Sequence, residues 1–280
     1  LDQAIKILNE FFEKDKLLVY TKGKARKEEK YFSNSFGLFK NGGVYVLIDK
    51  GSASASEIIA GAIQDHDRGL IVGERSFGKG LVQEQIPLLD GSLIRLTVSR
   101  YYTPSGRCIQ KPYSEGEEEY FSEMYLRDRS PNNDTLNQFT TENGRIVYGG
   151  GGIMPDHTVI SNKDSLATSL VYLYTSDFFN DLAFDYVDLN RNTYKDFTSF
   201  YLSENQQNDI LSSIQNWLFT KLGDNYAQIE QEIKKNQIQI INRFSALMIR
   251  QIWGWAEMQM FLNENDEIIS TSLSLLNNQN

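Results

Sequence analysis

Ser54, Lys79 and Gln83 are the residues whose types and spacing could do covalent chemistry in this chain, and the pairing of a serine with a lysine suggests a hydrolase. A hydroxyl is a poor nucleophile at neutral pH until a base takes its proton, so the base decides the reading. The chain has 2 histidines. His66 lies twelve residues beyond Ser54; on one shared helix that is roughly 18 Å, too far for a hydrogen bond. His157 follows Pro155 and Asp156 in a surface-like segment, and nothing in the sequence returns it to Ser54. Lys79 is the better candidate. A lysine acts as a base only when neutral, which takes burial or a nearby cation to bring an ammonium from about 10.4 toward roughly 7 to 8. Gly78 and Gly80 allow close backbone approach, and Phe77, Leu81 and Val82 can supply desolvation. On a strand Gln83 shares a face with Lys79, about 13 Å along it, so it orients the amine only if both side chains lean together or the strand curls.

Each of these residues has an ordinary explanation. Ser54 to Glu57 spells S-A-S-E, a capping box in which a serine hydroxyl satisfies an orphan N–H and a glutamate reaches back. A nucleophilic Ser54 would instead face outward at the helix start, where unpaired N–H groups and the positive dipole end can hold a tetrahedral oxyanion, leaving Ser52 or Ser56 to serve the helix. Lys79 in F-G-K-G reads equally as a solvated turn cation.

The first half of the chain alternates helix and strand, as an α/β core does. Leu1 to Phe12 carries the stripe of an amphipathic helix. Leu17 to Thr21 and Gly43 to Asp49 are strand-like, the second so continuously apolar that it reads as central. Ser54 to His66 is a helix ending near Gly69, Leu70 to Gly73 a short buried strand, and Gly80 to Leu88 with Ser92 to Thr103 a hairpin about Asp90-Gly91. From Ser165 the character changes: Asn205 to Leu222 and Asn225 to Asn263 have helical spacing, with Trp217, Trp253 and Trp255 as packing anchors. The division is therefore 1–160 and a mainly helical 161–280, without internal repeat. The stripe of Met248, Trp253, Trp255, Met258, Met260 and Phe261 reads as core, although a homo-oligomer interface is the other use of such a surface.

With 280 residues, 40% hydrophobic and 12% aromatic, the chain can bury a large core. A net charge of −9 and a pI near 4.9 argue against nucleic acid and anionic membranes as partners. One cysteine, Cys108, excludes an intrachain disulfide. No apolar run is long enough to span a bilayer, and no secretory signal stands at Leu1. Asp188, Asn190 and Asn192 imitate a calcium loop, but Thr193 replaces its glycine and Ser199 its closing glutamate. Asp65-His66-Asp67 offers too few ligands for zinc, the acidic run Glu115 to Glu119 reads as a solvated loop, and glycines 149–152 lack the lysine of a phosphate loop.

The runs G-S-A-S-A-S-E, G-E-R-S-F-G-K-G-L-V-Q and R-Y-Y-T-P-S-G-R resemble the carboxy-terminal processing, or tail-specific, proteases of the S41 peptidase family, over roughly residues 1 to 160. The helical remainder has a looser likeness to Bacteroidetes-type members. The resemblance implies a partial crotonase/Clp-like α/β protease core followed by a mainly helical C-terminal region. It implies Ser54 as nucleophile, Lys79 twenty-five residues on as general base, Gln83 as its orienter and the Ala55 N–H as one oxyanion donor. Family members carry a glycine-rich loop that completes the oxyanion hole, and a PDZ domain upstream. On that comparison the chain looks like a fragment of a longer protein; loss of one oxyanion donor costs about 10² to 10³ in rate. Further implications are protein substrates entering as extended strands, cleavage near exposed carboxy-terminal tails, a bacterial periplasmic or envelope location, and no cofactor or metal. Two other classes stay open: a non-catalytic peptide-binding scaffold keeping the fold, and an acyl-transfer enzyme of the related crotonase-like architecture.

Overall fold

In the computed structural model, the core is organised by a β-α-β unit. β3 (Tyr45–Ile48) leads through helix α2 (Ala55–Asp65) into β4 (Leu70–Gly73), which pairs with it in parallel, and β9 (His157–Thr158) extends the sheet in the order β3-β4-β9. The structure describes residues 1–34, 36–112, 137–159, 173–174, 176–223, 226–264 and 266–278. A second sheet has the order β2-β1-β6-β5, from β1 (Leu17–Lys22), β2 (Glu29–Phe32), β5 (Leu81–Pro87) and β6 (Leu93–Tyr102), all antiparallel. The expected hairpin forms, with Gly91 at φ +83° in its turn, the left-handed backbone that glycine adopts without cost. Between Val82 and Gln83 the register jumps from Ser99 to Thr97, so Val98 is the extra residue of a bulge. A small ribbon, β7 (Gln138–Thr140) and β8 (Ile146–Tyr148), follows.

The apolar face of α2 drives the packing. Ile58, Ala60, Ala62 and Ile63 are buried with Ala4 and Leu8 of α1 (Asp2–Leu8) and with Phe12, Leu18, Val19, Ile48, Ile71, Tyr101, Ile109 and Ile153. β3 is not central as its apolar run suggests: among the described residues it is the outer strand of its sheet, with Leu47 41% exposed. Its hydrophobicity answers to helices instead, since α8 (Glu267–Asn277) packs against both β3 and β4 and sets Ile268 Cδ1 3.3 Å from where a Cβ on Gly73 would stand.

Residues 1–161 and 267–280 form one unit and 162–266 another, so by contact the last helix groups with the α/β part rather than with the helical region assigned to 161–280. The second unit contains α3 (Asp177–Asn190), α4 (Glu204–Leu222), α5 (Tyr226–Lys235), α6 (Gln237–Ile252) and α7 (Trp255–Glu264). Its core gathers Phe179, Ile210, Ile214, Leu218, Ile240, Phe244 and Met248. The helical spacing of Asn225 to Asn263 is broken at Asn236 and at Gly254, whose φ is +120°. Trp217 stacks on Phe178 at 4.3 Å, and Trp253 meets Phe200 edge-on at 5.7 Å. Trp255 is no anchor: it is 62% exposed, with the Arg250 guanidinium 5.7 Å from its ring. Met260 is exposed as well, while Met258 is buried, because only one face of α7 packs. No helix among the described residues is long and apolar enough to cross a membrane.

Candidate active site

Ser54 is the residue immediately before α2, with φ +56° and ψ −111°. A side chain held in such backbone costs of order 1–3 kcal/mol and persists only where its surroundings fix it. They do so from several sides. Asp49 Oδ1 accepts from the Gly51 N–H at 2.9 Å and the Ser52 hydroxyl at 3.1 Å, closing the turn after β3. The Ser52 carbonyl accepts from the Phe77 N–H at 2.9 Å, sewing that turn to the segment after β4. Ser54 and Glu57 have the capping-box arrangement, but its short hydrogen bonds run through the glutamate and the main chain rather than the hydroxyl. The Ser54 N–H donates to Glu57 Oε2 at 2.8 Å, and the Glu57 N–H to the Ser54 carbonyl at 2.9 Å. The box also faces the Ser54 side chain to the Glu57 N–H, so the helix-start and chemical readings of S-A-S-E meet at Oγ. Ala55, exposed, opens the first turn of α2, where N–H groups lack intrahelical acceptors.

Lys79 is half-buried and approaches from the segment between β4 and β5. Its two glycines are sterically required. A Cβ on Gly78, at φ +93°, would stand 3.1 Å from the Gly152 nitrogen, and one on Gly80 would stand 2.9 Å from the Gln110 nitrogen. Gln110 Oε1 accepts from the Gly80 N–H at 2.9 Å, and the Gly78 carbonyl from the Lys111 N–H at 3.0 Å. Lys111, itself 3% exposed, brings its ammonium to 4.2 Å from the Phe77 ring centroid.

Glu57 is the residue that sequence reasoning missed. Fully buried at 0% exposure, its carboxylate reaches out of its own helix: Oε1 accepts from the Ser76 hydroxyl at 2.6 Å and the Gly78 N–H at 2.7 Å, and Oε2 from the Lys79 N–H at 2.9 Å as well as from Ser54. The four acceptor positions of a carboxylate are thus filled by donors on the two segments that carry Ser54 and Lys79. Tyr101 was missed too; its hydroxyl lies 2.5 Å from the Lys79 carbonyl and 3.1 Å from that of Ser54. The N3 glutamate of the box was the available signal for Glu57, though its reach to residue 79 is set by the tertiary fold.

Gln83 is exposed on β5, and its amide lies 3.5 Å from Thr97 Oγ1, the long end of a hydrogen bond. His66 ends α2 at the opposite terminus from Ser54, where its ring nitrogens meet the Leu17 carbonyl at 2.7 Å and Glu142 at 2.9 Å. His157 is exposed on β9. The T-P-S-G-R run has a structural role: the Ser105 N–H and the Arg107 guanidinium both bind Asp65, at 2.9 and 2.7 Å, fastening the exit of β6 to the end of α2. Burial presses the Arg107 guanidinium below its ordinary value, and Asp65 acts against that.

Residues 1–118 match the model of peptidase family S41. The carboxy-terminal-processing protease of Bartonella bacilliformis is 49% identical over 111 residues, 39% of this chain and 25% of that protein. The carboxy-terminal processing protease CtpB of Bacillus subtilis is 35% identical over 155 residues, 54% of this chain and 32% of that one. The chloroplastic C-terminal processing peptidase of Tetradesmus obliquus is 58% identical over 66 residues, 24% of this chain and 14% of that one. Among solved structures, the photosystem II D1 C-terminal processing protease covers 63% of this chain and 36% of its own at 26% identity, with a TM-score of 0.41. The chain spans about a third or less of the length of these curated relatives. The part of the chain that holds this match has a mixed α/β fold and is followed by a helical region.

Proposed function

We propose that this chain carries the Ser54 and Lys79 catalytic pair of a serine endopeptidase that cuts proteins at or near exposed carboxy-terminal tails. The observation that carries the reading is the joint fixation of the serine turn and the lysine segment: the buried Glu57 carboxylate binds the N–H groups of Ser54 and Lys79 at 2.8 and 2.9 Å. The names of the S41 relatives support the same direction.

In this reading the Lys79 amine takes the proton of Ser54 Oγ as the oxygen bonds the scissile carbonyl carbon. The resulting oxyanion rests on the Ala55 N–H at the start of α2 and on the second donor that the family resemblance assigns to a glycine-rich loop. The lysine ammonium returns its proton to the leaving amine, giving a free amino terminus and a Ser54 ester. Water, deprotonated by Lys79, then attacks the ester and releases a carboxylate with Ser54 restored. No cofactor takes part. Substrate enters as an extended strand, which gives affinity through main-chain bonds and leaves side-chain preference loose. A bacterial periplasmic or envelope setting, an upstream PDZ domain and homo-oligomerisation follow from the family resemblance and belong to this proposal.

Gln83, bonded to Thr97 rather than to the lysine, favours the non-catalytic scaffold as the second reading. The discriminating test is degradation of an unfolded protein by the complete gene product and by its Ser54→Ala and Lys79→Ala variants. Cleavage abolished by each substitution supports the peptidase; cleavage surviving Ser54→Ala overturns it, and binding of an extended peptide without cleavage by the unaltered protein supports the scaffold.

A further inference from the structure

Two buried side chains from different elements grip the same two residues in complementary ways. Glu57, in the first turn of α2, takes the main-chain N–H of Ser54 and of Lys79 on one oxygen, at 2.8 and 2.9 Å. Tyr101, on β6 and 2% exposed, brings its hydroxyl to the main-chain carbonyls of the same two residues, at 3.1 and 2.5 Å. Thus one acceptor gathers both donors and one donor gathers both acceptors. The Ser54–Glu57 contact is local, three residues apart, but Glu57 and Tyr101 each lie 22 residues from Lys79 and Tyr101 lies 47 from Ser54, so local chain geometry does not impose the convergence of both jaws on Lys79.

We propose that Glu57 and Tyr101 form a clamp that sets the position of Lys79 relative to Ser54, and that both are positioning residues rather than catalytic ones. The proposal rests on the peptidase reading of Ser54 and Lys79. On Ser54 and Lys79 the two jaws bind the peptide groups, not Oγ or Nζ. It also holds Ser54 in its left-handed backbone, φ +56°, which the helix start alone would not select. Proton transfer between two side chains depends on their placement to a fraction of an ångström, so losing one jaw lowers turnover far more than it alters substrate binding. Ser76 reinforces the Glu57 jaw from below the lysine: its hydroxyl donates to Glu57 Oε1 at 2.6 Å and accepts from the Ile153 N–H at 2.7 Å.

The test is steady-state cleavage of a tail peptide by the complete gene product carrying Tyr101→Phe, Glu57→Gln, Tyr102→Phe or Ser54→Ala. Rates are referred to the folded fraction of each variant, measured by near-ultraviolet circular dichroism. Tyr101→Phe removes a hydroxyl and keeps the packed ring. Tyr102, stacked on Tyr20 at 4.9 Å, is its neighbour outside the clamp. The expected result is a fall of about 10²-fold in kcat with KM nearly constant for Tyr101→Phe and for Glu57→Gln, and no change for Tyr102→Phe. A purely structural role would lower the folded fraction and leave kcat per folded molecule intact, and that outcome overturns the clamp. Full kcat in both clamp variants beside an inactive Ser54→Ala also overturns it while leaving the peptidase standing. Activity persisting in Ser54→Ala removes the reading on which the clamp rests.

Discussion

Replacing Arg107 by methionine isolates what the T-P-S-G-R segment does for the helix that presents Ser54. The Arg107 side chain is 0% exposed and its partner Asp65 is 1% exposed. Nη2 donates to Asp65 Oδ1 and to Gln64 Oε1, each at 2.7 Å, and Nη1 to the Tyr148 carbonyl at 3.1 Å. Methionine approximates the stem but leaves the Asp65 carboxylate buried without a counter-charge, a situation that typically costs 3–5 kcal/mol. Two features offset part of this. Arg107 Nε has no hydrogen-bond partner among the described residues, so its removal relieves a desolvation penalty of about 1–3 kcal/mol, and the Ser105 N–H still binds Asp65 Oδ2 at 2.9 Å. The expected net loss is about 2–4 kcal/mol. Because a chain of two units need not unfold in one step, the suitable assay is native-state hydrogen exchange at the amides of α2. The loss then appears as exchange about 30- to 1,000-fold faster for Ile58 to Gln64, and the double variant Arg107→Met with Asp65→Asn recovers most of it. Exchange within about 5-fold of the unaltered protein would refute the argument that this ion pair holds the end of α2.

Gly80→Ala introduces a Cβ 2.9 Å from the Gln110 nitrogen and 3.3 Å from its Cα, main-chain atoms that cannot swing aside as a side-chain end can; loss of about 1–3 kcal/mol with a parallel fall in any Lys79-dependent activity is expected, checked by thermal melting and by cleavage rate. Acid should release the 141–145 turn first. Burial alone would push the Asp67 carboxyl up, but the Asn143 N–H and the Arg145 guanidinium hold it below the ordinary carboxylate range, and Lys16 followed by His66 does the same for Glu142. Carboxyls whose folded values are depressed stabilise the fold above the unfolded value and lose that contribution as pH falls through the folded one, so protection of the turn declines below about pH 4. Asp67→Asn should flatten that decline in hydrogen exchange followed against pH; an unchanged slope would show that the acid sensitivity lies elsewhere.

What the sequence made legible was local. The Asp90-Gly91 turn, the apolar stripe of Ser54 to His66 and the change of period after Ser165 each reflect rules acting within a few residues, and the corresponding hairpin, helix and helical region form. The pairing order of β2-β1-β6-β5, the outer position of β3 and the return of α8 to the first unit depend on which surfaces meet across long separations. The candidate site divides in the same way. Ser54 was visible as a helix start and Lys79 as a glycine-flanked cation, because turn chemistry is written in neighbours. That the box glutamate would cap its own helix and also bind residues 76, 78 and 79 could not be read from S-A-S-E. For Gln83 the spacing argument gives a strand face and no more; that its amide lies 3.5 Å from Thr97 Oγ1 depends on the bulged pairing of the ribbon.

The most direct test of the account is to trap the acyl-enzyme. The complete gene product is mixed with a peptide ester of a carboxy-terminal tail, quenched in acid within seconds and digested, and the residue carrying the acyl group is located by mass spectrometry. The account predicts the ester on Ser54, absent from Ser54→Ala and formed at least about 10²-fold more slowly in Lys79→Ala. An acyl group on another residue, or on Ser54 at an undiminished rate without Lys79, would contradict it.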